Sequence, residues 1–223
     1  DEMKRRGSSE IRENIMNCAI CESRRARRYC PALTREICTA CCGSSRETTI
    51  DCPLACEHLQ AAHIHERIPA PDPAKFPHPD VEISERFSKD NAAILSFLSS
   101  ALLNAALSTQ GATDNDVREA LDAMARTYRT LESGLIYETK PTNLIAAAIA
   151  QQLSAEIDRL RRSLRERAGM EMIRDADIFG VLVMLQRLEF LHNNGRPRGR
   201  AFLGFLQREL RAPGAAESPV VPA

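Results

Sequence analysis

The sequence predicts a mainly α protein in which a small Cys-rich zinc-binding module is followed by an antiparallel helical bundle. Three observations carry this expectation. All eight cysteines fall between Cys18 and Cys56, and none occurs afterwards in a chain of 223 residues. Cysteines used only for core packing would not segregate in this way. Aromatic residues make up 4 % of the chain and Trp is absent, while Ala, Leu and Arg are abundant, a composition that favours helix. From residue 84 onward, apolar residues recur at helical spacing.

Five regions follow in order. Residues 1–15 are polar and are expected to form a disordered arm or tag. Residues 16–66 form the zinc-binding module. Residues 67–82 form a proline-rich linker, because the stretch 69–80, PAPDPAKFPHPD, holds five of the twelve prolines. Proline at that density blocks helix and favours extended chain, either as a spacer or as a strap along the next domain. Residues 83–211 form the helical bundle, and 212–223 a disordered tail rich in Pro and Ala.

Within the bundle, the first helix is expected over about 84–109, with Phe87, Ile94, Leu98, Leu102 and Ala105 on one stripe. Gly111 ends it. Thr113 then reads as the N-cap of the second helix, with Asp116 completing a variant capping box. Val117, Leu121, Met124, Tyr128, Leu131 and Leu135 alternate in steps of four and three, a heptad seam suited to packing on another helix. Pro141 breaks the chain. The third helix, about 142–168, carries Ile145, Ile149, Leu153, Ile157, Leu160 and Leu164 on one face, and arginines crowd its end, where cations suit the helix dipole. The fourth, about 175–193, is apolar on most sides and therefore the most buried. A short fifth helix is expected near 198–211, with Phe202, Phe205, Leu206 and Leu210. No fixed-period repeat is present, which argues against a solenoid.

The cysteine module reads C-x2-C at 18 and 21, Cys30, C-x2-C-C at 38, 41 and 42, then C-x3-C-x-H at 52, 56 and 58. His63 and His65 follow. No export signal supports a disulfide scaffold. Two C-x2-C pairs aim four thiolates at one tetrahedral ion. Cys18, Cys21, Cys38 and Cys41 are thus the expected first set. Cys52 before Pro53 reads as a helix N-cap, which places Cys56 one turn along the same face. With Cys30 and Cys42 these two complete a second set, so the eight thiols divide between two Zn2+ ions. The doubling of Cys41 and Cys42 is then a division of labour, since neighbours in an extended segment point to opposite sides. His58 is expected to point away from the second set. His58, His63 and His65 read as surface residues, although His58 or His63 in place of Cys42 remains an alternative closing ligand. An iron–sulfur cluster also uses four thiolates.

The spacing C-x2-C-x8-C-x7-C-x2-C resembles that of B-box zinc fingers. In that family ligand pairs one and three hold one metal, and pairs two and four the other. The resemblance implies that Cys18, Cys21, Cys38 and Cys41 form the first site and that Cys30 belongs to the second. Leu33 stands where a B-box places another ligand, and a Cys-rich segment replaces the closing histidines. The module also shares parts of its pattern with HIT and MYND zinc fingers. The run CCGSSRETTIDCPLACEHL followed by helices is similar to bacterial proteins with no assigned function.

Lys plus Arg and Asp plus Glu both number 30, for a net charge of zero. The totals therefore do not indicate a dominant basic surface for nucleic acid. The apolar stretch 92–107 is interrupted by three Ser and one Asn, so no membrane span is expected. Cytoplasmic localisation is the expectation. Four-thiolate sites are closed to substrate. The single Glu-x-x-His, Glu189 to His192, lacks the second copy that a di-iron bundle needs. No nucleotide-binding or hydrolase motif is present, and the sequence leaves a small-molecule substrate unknown. The reading is a non-catalytic interaction or assembly module with a protein partner or self-association. The alternatives are nucleic-acid binding through the Arg clusters at 24–28, 159–167 and 195–200, and a thiol redox sensor.

Overall fold

A computed structural model describes residues 16–66, 72–168 and 173–211. The expected arm at 1–15 and tail at 212–223 lie outside them. The cysteine-rich part contains a two-stranded antiparallel hairpin, β1 (Arg28–Cys30) and β2 (Arg35–Ile37), with Arg28 opposite Ile37 and Cys30 opposite Arg35. Two short helices follow, α1 (Thr39–Ser45) and α2 (Glu57–His65). The remainder is helical: α3 (Glu85–Asp90), α4 (Ala92–Ser108), α5 (Asp114–Glu132), α6 (Leu144–Ala168), α7 (Asp175–His192) and α8 (Ala201–Glu209).

Two separate apolar clusters form. One gathers Ile37, Ile50 and Leu59 around the cysteines; the other fills the bundle. Leu54 packs against both. In the bundle, α7 touches α4, α5 and α8, and α6 lies against α4 and α5. As its sequence predicts, α7 is the innermost helix: Ile178, Val181, Leu182, Val183 and Leu185 are fully buried. The capping box at the start of α5 is present, with the Thr113 amide donating to Asp116 Oδ2 at 2.8 Å.

The expected first helix is two helices. Asn91 interrupts it with φ −105° and ψ 12°, and its side-chain amide donates to the Phe87 carbonyl at 3.1 Å. An Asn side chain that competes for backbone groups turns the chain where a straight helix would continue. The turn lays the Phe87 ring on α7 at Gly180, where a Cβ would lie 2.3 Å from Cζ. The heptad seam on α5 also stops early. The helix ends at Glu132, Gly134 takes φ +76°, and Leu135 is 63 % exposed.

Of the proline-rich stretch, residues 72–82 lie along the bundle as a strap. The Arg187 guanidinium on α7 donates to the carbonyls of His78 and Val81, both at 2.7 Å, and to that of Pro77 at 3.3 Å. Phe76 stands edge-on to Phe190 at 5.8 Å. At the other end of the bundle, Asp114 ties α5 to α8. Its carboxylate accepts the amides of Phe202 and Leu203 at 2.9 and 3.1 Å, so it caps the N-terminus of α8. Burial pushes this carboxyl up to about 7.

Leu121 is fully buried beneath α7 while Leu135, on the same sequence seam, faces solvent. Leu121→Ala is expected to cost about 2–5 kcal/mol in denaturant unfolding, and Leu135→Ala less than about 0.5 kcal/mol.

Candidate metal centre

Two tight turns bring the first four cysteines together. In the first, the Cys18 amide donates to the Arg24 carbonyl and the Glu22 amide to the Cys18 carbonyl, both at 2.8 Å, with Glu22 at φ +53°. The Ile20 amide donates to Cys18 Sγ at 3.4 Å. In the second, Cys38 is the N-cap of α1, and its Sγ accepts the Cys41 amide at 3.4 Å. The hairpin holds the two turns face to face through the amides of Ala19 and Arg27, which donate to the carbonyls of Glu36 and Ile37.

The sulfurs of Cys18, Cys21, Cys38 and Cys41 consequently lie within 4.8 Å of one another, and Cys21 Sγ is 4.0 Å from Cys38 Sγ. A disulfide would need about 2.05 Å, and all eight cysteines are free. A tetrahedral ion with metal–sulfur bonds of about 2.3 Å sets its sulfurs about 3.8 Å apart, the scale seen here. Their surroundings split the thiols. Hydrogen bonds from the Ser23 hydroxyl and amide, then from the Arg24 amide, pull Cys21 down to about 6. Hydrogen bonding to Cys38, with burial second, pushes Cys41 up to about 12. Four thiolates this close repel one another until a cation sits among them.

The other four cysteines meet less tightly. Cys30 ends β1, Cys42 lies on α1, and Cys52 and Cys56 precede α2. Together with His58 they line one small cavity floored by Ile37, Ile50 and Leu59. Among the described residues no second set of three ligand atoms converges within 4.8 Å.

Three local expectations change. Cys41 and Cys42 lie on a helix and not on an extended segment. Successive helical residues are still about 100° apart, so Cys41 joins the tight cluster while Cys42 faces the cavity. Cys42 Sγ there accepts from Arg28 Nη1 at 3.5 Å. Second, α2 begins at Glu57, so Cys52 and Cys56 share a turn and not a helical face. The Cys52 carbonyl accepts from Arg200 Nη1 at 2.9 Å, and the Cys56 amide turns to Pro53. A helix would have needed those two groups for each other. The later start swings His58 toward the cavity. Third, His63 is buried and serves a carboxylate inside the protein.

That carboxylate is Glu47, fully buried between the module and the bundle. It accepts from His63 Nε2 at 3.1 Å, from Asn194 Nδ2 at 2.8 Å and from the Arg200 amide at 2.7 Å. Its carbonyl takes the Arg198 amide at 2.9 Å. Its backbone sits at φ +54°, a left-handed conformation that costs a non-glycine residue some strain. Burial alone raises the Glu47 carboxyl; the His63 hydrogen bond and charge, the Arg200 amide and Asn194 reverse this and hold it below the ordinary carboxylate range.

Around it, Arg196 pairs with Glu66 at 2.9 Å and Arg200 with Asp51 at 2.7 Å. Two arginines of the 195–200 cluster are therefore committed to carboxylates within the chain. On α8, Gly204 leaves room for His63, whose Nδ1 would stand 3.1 Å from a Cβ there. Sequence reasoning missed this buried anchor. Glu47 has no neighbour in the chain that marks it; His63 lies 16 residues downstream, and Asn194 and the Arg200 amide about 150.

Comparison with protein families, with known proteins and with solved structures yields no match.

Removing Glu47 strands buried donors on both sides of the junction. Glu47→Ala is expected to cost about 3–5 kcal/mol. A carboxyl held low in the folded state stabilises above its unfolded value, about pH 4, and ceases to as pH falls through the folded value. The stability gap between wild type and Glu47→Gln should therefore narrow on acidification; a gap constant from pH 7 to pH 3 contradicts this assignment.

Proposed function

We propose that the protein is a zinc-binding interaction or assembly module with two structural sites and no catalytic role. The convergence of the Cys18, Cys21, Cys38 and Cys41 sulfurs within 4.8 Å carries this reading. The set is all thiolate and complete, which suits Zn2+ and leaves no position for substrate. The second ion is assigned to Cys30, Cys42, Cys52 and Cys56, supported by their lining one cavity. The two sites then interleave as a cross-brace through α1, which supplies Cys41 to one and Cys42 to the other. Unpaired thiols of this kind belong in a reducing, cytoplasmic compartment.

A metal is needed because the module is too small to hold itself by apolar burial. Interaction with a protein partner, or self-association, is supported by the loop after α5. There Leu135, Ile136 and Tyr137 are exposed, Ile136 by 96 %, with exposed Leu144 following. Consecutive exposed apolar residues mark contact surfaces more often than solvated ones.

Metal analysis of the purified protein tests the assignment. Two zinc ions per chain are expected, falling to one in Cys42→Ser and unchanged in His58→Ala. Loss of the second zinc in His58→Ala with full loading of Cys42→Ser would give the closing position to His58. Iron with visible absorbance would replace the zinc reading with a cluster.

A further inference from the structure

We propose that the groove between α5 and α6 binds a small neutral molecule made of an apolar body and a primary carboxamide. The groove follows from the way the chain leaves α5. Residues 134–143 run back along that helix. The Thr130 hydroxyl donates to the Tyr137 carbonyl at 3.0 Å, the Thr139 amide to Thr127 Oγ1 at 2.9 Å, and the amides of Thr142 and Asn143 to Glu119 Oε1 at 2.7 and 3.0 Å. This returning segment makes one wall, α6 the other, and α5 the floor. On its side α6 presents Ala147, Ala150, Ser154 and Ala155, side chains too small to close the gap. A cavity of about 500 Å³ is left, within the range of small-molecule sites.

Tyr128 carries the assignment. It lines the cavity and is 7 % exposed, and among the described residues its hydroxyl bonds to no protein group. Nor is that oxygen one of the buried polar atoms left without a partner; it therefore opens on the cavity that the residue lines. The Arg161 guanidinium covers one face of the ring, 5.7 Å from its centroid. Burial pushes the phenol up to about 12, so the group remains an O–H donor at neutral pH. A hydroxyl inside a protein is normally paired, with protein or with water. This one presents its O–H to whatever occupies the groove.

The rim selects the head group. Gln151, Ser154 and Asp158 lie three and four residues apart on one face of α6 and line the same cavity. Among the described residues their side chains make no hydrogen bond or ion pair within the chain. Asp158 is an anionic acceptor whose charge reaches the Tyr128 phenol. Glu138 and Lys140, on the opposite wall, pair with each other at 3.6 Å, so Asp158 is the uncompensated charge of the lining. The head must offer an acceptor to Tyr128 and a donor to Asp158, and a primary carboxamide carries both on one carbon. A carboxylate is repelled by Asp158, and an ammonium has no acceptor for the phenolic O–H. Met124, Ala147, Ala150 and Pro141 form an apolar bed. A hydrocarbon body covers it, whereas an Asn or Gln side chain is too short to do so.

The test is an NMR titration of the full chain with benzamide, with benzoate and acetamide alongside. Benzamide is expected to saturate in the millimolar range, the scale for so small a ligand. Benzoate has the same body with a charged head, and acetamide the same head without the body; each should bind about tenfold more weakly or less. Tyr128→Phe should weaken benzamide about three- to tenfold. Without ligand it should melt no lower than wild type, since it removes a hydroxyl that has no partner in the chain. Ala155→Phe, on the exposed side of α6, should abolish binding by filling the groove, and Asp158→Ala should narrow the preference for benzamide over benzoate. Absence of saturable benzamide binding at tens of millimolar overturns the proposal. So does equal affinity in Tyr128→Phe, or benzoate or acetamide binding as tightly as benzamide. A lower melting temperature of unliganded Tyr128→Phe also overturns it, by giving the hydroxyl a partner inside the protein.

Discussion

The position of the cysteine module depends on one buried carboxylate. Glu47 sits in a strained backbone conformation with no access to water, and every group that compensates it comes from α2 or from the loop before α8. A buried charge of this kind is tolerable only while its hydrogen bonds are intact. Module and bundle therefore cannot drift apart by small steps. Separation exposes or strands Glu47, His63 and Asn194 together. The same arginines that flank this anchor also reach the cysteine module: Arg200 holds the Cys52 carbonyl and Asp51, and Arg196 the Arg46 carbonyl. The geometry around Cys52 is thus partly set by the bundle.

The two apolar clusters play unequal parts. The bundle core is the larger, with α7 packed against α4, α5 and α8. The cluster around Ile37, Ile50 and Leu59 is small, and cysteines make up most of its buried members. Its cohesion comes from the thiols and their backbone donors more than from burial. Leu54 bridges the two clusters, so docking supplies apolar contact that the module lacks by itself.

The parts legible in the sequence are those that depend on neighbours in the chain. Helical periodicity located α5 to α8 to within a few residues, and Thr113 with Asp116 marked the start of α5, because caps and stripes are local devices. Paired C-x2-C spacing located the tight sulfur cluster, because two short turns suffice to build it. The break at Asn91 escaped because Asn is tolerated inside helices and turns the chain only where its amide finds a carbonyl. The start of α2 escaped for a different reason. Cys52-Pro53 has a valid helix-start signature, but Arg200, far along the chain, takes the carbonyl that helix would use. Glu47 and His63 escaped for the same cause: a buried ion pair has no periodicity.

The separation between Glu47 and its partners also sets an order in time. Asn194 and the Arg200 amide lie 147 and 153 residues beyond it. At ribosomal rates of 5–20 residues per second, roughly 10–30 s pass between synthesis of the cysteine segment and of the loop that receives it. During that interval the thiols are complete as a set while Glu47 still lacks Asn194 and the Arg200 amide. Any metal that the four-cysteine cluster binds can therefore enter before docking, and a segment made much later closes a junction whose other half was made first.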